Sequence, residues 1–254
     1  LRYRCAEAVE AFKKLPTAHY KSGWVLYHVG ECWFEKLAYS QAREVFEELR
    51  RVEPYNLRGV DIYSSVLWHL RKEIELAHLA SVSNSFDPYA PESCCAMGNA
   101  FSLQKEHAVA SKHFARATQL NPGFVYAHTL EGHEYLASDL VDKALDAFRT
   151  AIRKDPSHYN AWSGLGLIYL RQSKLDHAEY HFKKALSINP KSSVLTCYLG
   201  ILYQTAQQHK QALEMLNRAL NLDPENTLAQ YKKVVVQSLL GQYKEALVGA
   251  EKLV

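Results

Sequence analysis

The stretch PGFVYAHTLEGHEYLASDLVDKALDAFRTAIRKDP, from Pro122 to Pro156, opens and closes on prolines 34 residues apart. The spacing continues in both directions. Prolines stand at Pro54, Pro88, Pro122, Pro156, Pro190 and Pro224, and only Pro16 and Pro91 fall outside the series. Counting back from each proline, Gly30, Gly98, Gly132, Gly166 and Gly200 share the eighth position of their repeats. Three residues later come Trp33, Phe101, Tyr135, Tyr169 and Tyr203. The twentieth position holds Ala42, Ala110, Ala144, Ala178 and Ala212, followed four on by Phe46, Phe114, Phe148, Phe182 and Leu216.

A 34-residue period with this signature is that of the tetratricopeptide repeat (TPR), a helix–turn–helix unit. The expected fold is all-α, a right-handed superhelix of stacked antiparallel helix pairs. Glycine at position eight and alanine at position twenty let the two helices approach, and the aromatic at position eleven fills the space beside them. The residue before each proline is pushed out of the helical region and ends the second helix. No unit can bury its apolar stripe alone, so neighbours stack. Residues 1–22 read as a trailing half repeat, with Ala8, Phe12 and Leu15 in phase and Tyr20 in place of the closing proline. Full units follow at 23–56, 57–90, 91–124, 125–158, 159–192 and 193–226, and a partial unit at 227–254 keeps Gly241, Tyr243 and Ala246. The unit at 57–90 is degenerate, with Ser64, Leu76 and Ala80 at the signature positions, and a looser packing is expected there. Without an initiator methionine, and stopping mid-pattern, the sequence reads as a piece of a longer protein.

Composition narrows the function. Of 254 residues, 48% are apolar and 22% charged, enough to build a core and too balanced for disorder. A net charge of +3 with dispersed Lys and Arg gives no nucleic-acid footprint. No 18-residue apolar run suits a membrane span, and no signal peptide is recognised. The five cysteines, Cys5, Cys32, Cys94, Cys95 and Cys197, contain no CxxC pair and read as reduced, mostly buried thiols. Cys94 is expected in the core and Cys95 on the groove.

Chemistry is scarce. His177 and His181 have the i,i+4 spacing of two zinc ligands, but no third ligand follows and H-E-x-x-H is absent, so two solvated histidines beside Tyr180 are expected and no metal. No nucleophile–base pair, phosphate loop or paired acids can be assembled; neither an enzyme nor a cofactor is expected.

What remains is binding. In TPR arrays, positions two, five, nine and twelve line the concave face. In the central units these are Glu92, Cys95, Asn99 and Ser102; Tyr126, Thr129, His133 and Leu136; and Asn160, Ser163, Leu167 and Leu170. This mixed lining suits an extended peptide with one apolar anchor and one polar or charged group. A carboxylate clamp of the co-chaperone type is disfavoured, because Cys95 stands where its lysine should precede Asn99. Position ten reads Cys32, Val66, Ala100, Glu134, Ile168, Leu202 and Val236, so a lone carboxylate interrupts an apolar column. A buried unpaired carboxylate is costly and must be paired, protonated or wet. Either Glu134 has an internal partner, such as His133, an amide or a water, or it awaits a cationic ligand group, best an arginine. Glu131, at the usual leucine position, reads as a partly exposed substitution.

The residues Thr129-Leu130, Gly132-His133-Glu134, His158-Tyr159-Asn160-Ala161-Trp162, Ser102 to His107 and Ile188-Asn189-Pro190, with Trp68-His69-Leu70 upstream, resemble subunit three of the anaphase-promoting complex (cyclosome). The resemblance runs from about Glu7 to the C-terminus. It implies a non-catalytic scaffold of a ubiquitin ligase acting in mitosis, in nucleus and cytoplasm, beside other TPR subunits. It implies homodimerisation through N-terminal repeats that this chain lacks. It further implies a superhelix that receives C-terminal Ile-Arg tails of coactivators and of the substrate-recognition core subunit. On that expectation Leu103, Tyr126 and Leu167 hold the Ile, Glu134 the Arg, and Asn99 or Asn160 the carboxylate, with Thr129, His133 and Ser163 lining the same groove. The alternative is a TPR adaptor of another assembly, co-chaperone or transferase-associated.

Overall fold

The computed structural model describes residues 4–251, which form helices joined by turns. In chain order these are α1 (Cys5–Lys13), α2 (Thr17–Tyr20), α3 (Gly23–Glu35), α4 (Tyr39–Val52), α5 (Val60–His69), α6 (Glu73–Phe86), α7 (Pro91–Leu103) and α8 (His107–Leu120). They continue with α9 (Val125–Ala137), α10 (Val141–Lys154), α11 (Tyr159–Arg171), α12 (Leu175–Ile188), α13 (Ser193–Thr205), α14 (His209–Leu222), α15 (Thr227–Leu239) and α16 (Tyr243–Glu251). The pairing is that of TPR units: α3 packs on α4, α7 on α8, α11 on α12, α13 on α14 and α15 on α16. Two compact units divide the chain at 147/148, inside α10.

Packing within each pair rests on the glycine. A Cβ on Gly98 would stand 2.6 Å from the Phe114 ring, and one on Gly166 would stand 2.6 Å from Phe182. The filler of that close approach is therefore the position-24 ring, and Phe46, Phe114, Phe148 and Phe182 are all fully buried. The position-eleven aromatics Trp33, Phe101, Tyr135, Tyr169 and Tyr203 are only half-buried. In the first unit, Leu26, Phe46, Leu49, Val66, Leu67 and Leu76 form one cluster, and Cys94, Cys95, Phe114 and Ala127 a second. In the second unit, Phe182, Leu199 and Leu202 form one cluster, and Leu216, Ala229 and Val236 another.

Each first helix stops on a left-handed residue. Leu37, Arg71, Lys105, Asp139, Ser173 and Gln207 all have φ between 55° and 65°, and Gly241 has φ 75°. They recur every 34 residues. The amide after each bonds back five residues, as Ala38 to Trp33 O at 3.0 Å and Lys72 to Leu67 O at 3.0 Å, which satisfies carbonyls the helix end would orphan. At the other end, Asp87 (φ −149°, ψ 101°), Asn121 and Asp223 are extended before their prolines, as steric clash requires. The side chains of Asp87, Asn121, Asp155 and Asp223 then accept the amide two residues on.

The degenerate unit is distorted only at its start. Gly59 adopts φ 81°, and α5 begins there with 10 residues where most first helices have 13. It is not loose: every residue from Val60 to Leu67 is buried. Leu76 and Ala80, both buried, exchange the large and small residues of the signature, so the volume is conserved. At the N-terminal end, the trailing segment holds α1 and the single turn α2, with α1 packed on α3.

Candidate peptide-binding site

The first unit brings α3, α5, α7 and α9 together, and these helices carry a continuous polar ladder. Asn99, 4% exposed, donates its amide hydrogens to Ser64 Oγ at 2.8 Å and Ser65 Oγ at 3.0 Å. Both serines donate in turn to the Asp61 carbonyl. The Tyr126 hydroxyl donates to Ser65 Oγ at 2.8 Å, tying α9 to α5 across the intervening repeat. Beside this ladder lies an aromatic wall. Phe34 meets Tyr126 edge-on at 6.4 Å, and Tyr39 stacks on His69 at 4.3 Å, near-parallel. Burial pushes the His69 and His133 imidazoles down to about 4, so both are neutral at pH 7.

Glu134 is buried and doubly held. Ser102 Oγ donates to its Oε1 at 2.7 Å, and His107 Nδ1 lies 2.8 Å from its Oε2. Trp68 Nε1 donates to the same Ser102 Oγ at 3.1 Å. The chain Trp68–Ser102–Glu134–His107 therefore links three successive repeats, and the apolar column tolerates an acid because the preceding repeat supplies its donors.

The other expected site residues fall as follows. Leu103 and Tyr126 are half-buried, and Leu103 packs against the core of the first unit. Thr129 is buried, its hydroxyl donating to Val125 O at 3.3 Å. Asn160, half-buried, Ser163, buried, and Leu167, half-buried against Phe182 and Leu199, belong to the second unit. The Asn160 side chain makes no hydrogen bond among the described residues, whereas both amide hydrogens of Asn99 are engaged.

Two local expectations change, those for Cys95 and His181. Cys95 is fully buried and does not open to solvent; burial drives its thiol well above the usual range. His181 is no solvated histidine: it is half-buried and stacks on Tyr169 at 5.2 Å, and burial lowers its pKa, with smaller contributions from His177 and Arg149. Glu131 accepts a hydrogen bond from the Tyr135 hydroxyl at 2.9 Å, and burial raises its carboxyl. Finally Asp61, Ser64, Ser65, Trp68 and His107 join the site, although the first four sit in the repeat whose signature is worn away. Their repeat positions, five, eight, nine and twelve, are the signal that would have found most of them. Among the described residues no cluster of three or more His, Cys, Asp or Glu side chains could hold a metal, and no helix is long and apolar enough to cross a membrane.

Two tetratricopeptide-repeat family profiles match residues 129–193 and 169–235. Protein bimA of Emericella nidulans is 45% identical over 167 residues, covering 66% of this chain and 21% of that protein. Cell division cycle protein 27 homolog B of Arabidopsis thaliana is 48% identical over 166 residues, 65% of this chain and 22% of its own. Anaphase-promoting complex subunit 3 of Schizosaccharomyces pombe is 42% identical over 167 residues, 66% and 25%. The chain thus spans about a fifth to a quarter of these relatives' length. In a crystal structure of the APC/C hetero-tetramer Cut9-Hcn1, one chain superposes with a TM-score of 0.88 over 98% of this chain and 49% of its own. At 15% identity that likeness speaks for the fold alone. By repeat signature, helix pairing and sequence identity, this is a tetratricopeptide-repeat chain homologous to a segment of the Cdc27, APC3 and BimA proteins.

Proposed function

We propose that the chain is part of a non-catalytic scaffold subunit of the anaphase-promoting complex, in nucleus and cytoplasm, and that its repeats receive C-terminal Ile-Arg tails of coactivators and of the substrate-recognition core subunit. The observation that carries the scaffold reading is the 42–48% identity, over 65–66% of the chain, to relatives named for the cell division cycle and for that complex. Other TPR subunits are then its neighbours, and homodimerisation belongs to repeats outside this chain.

The tail reading is supported by the chemistry of the first unit. An Ile side chain needs an apolar surface, and the rings of Phe34, His69 and Tyr126, with Leu103, are proposed to supply it. A guanidinium needs carboxylates in low dielectric, where charge-assisted pairing is strongest. Asn99, Thr129, His133 and Glu134 are the polar groups beside that wall. Asn160, Ser163 and Leu167 are proposed as tail contacts on repeat position alone.

The test is a titration of the chain with a labelled peptide ending in Ile-Arg. Binding of micromolar order, about −8 kcal/mol, is expected, and it is lost when the terminus is amidated. Equal binding of the amidated peptide, or none of either, overturns the tail reading.

A further inference from the structure

The stacking that gives Glu134 its histidine partner also brings two thiols together. His107 opens the second helix of its unit, at repeat position seventeen, and lies 2.8 Å from Glu134, at position ten of the next unit, 27 residues on. Cys5 opens α1 at position seventeen of the trailing half repeat, and Cys32 stands at position ten of the next unit, with the same 27-residue separation. No other repeat boundary carries cysteine at either position.

The packing of α1 on α3 agrees with that register. At the far end of α1, Phe12 meets Trp24 edge-on at 6.2 Å, and Val9, between, is 2% exposed. At the near end the Cys32 thiol donates a hydrogen bond to the Cys5 sulfur. Both thiols are free. Cys5 keeps a small exposed edge and Cys32 is half-buried, whereas Cys95 and Cys197 are sealed.

The two sulfurs have unequal surroundings. Cys5 lies in the first turn of α1, where the positive end of the helix dipole favours a thiolate. Cys32 lies in the last turn of α3, beside Glu31 and Glu35, which favour its protonated form. The hydrogen bond from Cys32 holds the Cys5 thiol below its usual range, against burial and the same two carboxylates.

We infer that Cys5 and Cys32 form a peroxide-responsive disulfide that clamps α1 onto α3. The Cys5 thiolate attacks one oxygen of hydrogen peroxide. An S–O bond forms, the O–O bond breaks, and the departing hydroxide takes up the proton Cys5 had released, leaving Cys5 as a sulfenic acid and one water. The Cys32 sulfur then attacks the Cys5 sulfur, and the displaced hydroxide leaves as water with the Cys32 proton. Two electrons pass from the thiols to the peroxide, and two thiols with one peroxide become one disulfide and two waters.

The experiment treats the 254-residue chain with hydrogen peroxide, blocks the remaining thiols in urea and maps the peptides by mass. A Cys5–Cys32 cross-linked peptide is expected, and dithiothreitol removes it. Amide exchange in α1 should slow about tenfold or more on oxidation and recover on reduction. In Cys32→Ala, Cys5 should stop at the sulfenic acid and be trapped by dimedone. Recovery of both thiols free, or a disulfide joining other cysteines, overturns the pair. A Cys5–Cys32 disulfide with unchanged α1 exchange overturns the clamp. Should Cys32→Ala not fold, the wild-type peptide map and exchange rates decide alone.

Discussion

Ser102 Oγ donates a 2.7 Å hydrogen bond to Glu134 Oε1, across 32 residues and one repeat boundary. That bond turns an anomaly in an apolar column into a structural tie. The same hydroxyl accepts from Trp68 Nε1, so a single small side chain joins three repeats. Ser102→Ala would leave a half-buried indole N–H and a buried carboxylate oxygen without a partner. A loss of about 1–3 kcal/mol is expected, as for hydrogen bonds to charged groups. Equilibrium urea unfolding should show a lower midpoint with an unchanged slope.

The left-handed residues predict a stabilising change. Lys105 is exposed, and its φ of 65° costs an L-residue about 1–2 kcal/mol, part of which glycine returns as unfolded-state entropy. Lys105→Gly should therefore stabilise the chain by about 0.5–1 kcal/mol. Gly241→Ala, at φ 75° with nothing within 4 Å, should cost about 1 kcal/mol through backbone strain alone. Paired urea curves check both signs.

Asp61 gives a pH dependence. The folded carboxyl holds its proton to about 7, while the unfolded one releases it near 3.8. Between those values the native state binds the extra proton, so its contribution to stability falls as pH rises through the window and levels off above about 7. Asp61→Asn removes the penalty. Its advantage over wild type should be larger at pH 8 than at pH 5, with an upper bound of about 4 kcal/mol for the roughly three-unit shift. Unfolding midpoints of both proteins at the two pH values measure it; an advantage independent of pH would speak against a buried, unpaired Asp61.

Thiol reactivity should separate the cysteines by burial. Cys95 and Cys197 are fully buried, and burial pushes the Cys197 thiol up to about 12 and the Cys95 thiol well above its usual range. Alkylation of the native protein at pH 8 should leave both unmodified, and urea should expose both, as peptide mass mapping would show.

The repeat was legible because its packing fixes residue types: a glycine facing Phe114 or Phe182 leaves no room for a Cβ. The helix stops were not. Leu37, Arg71, Lys105, Asp139, Ser173 and Gln207 share a backbone conformation and no side-chain property, since the stop is made by main-chain hydrogen bonds. Glu134 stood out in its column, but its partners did not, because Ser102 and His107 are near neighbours only after the repeats stack. Asp61 escaped notice because its repeat had lost the glycine, alanine and aromatic that mark the frame, although its position within the 34-residue period still held.

The most direct measurement is a structure of the chain with a bound peptide ending in Ile-Arg. The account predicts the Ile side chain against Phe34, His69 and Tyr126, with the polar end of the tail beside Asn99, Thr129, His133 and Glu134. A tail seated away from these residues, or no bound tail at all, would contradict it.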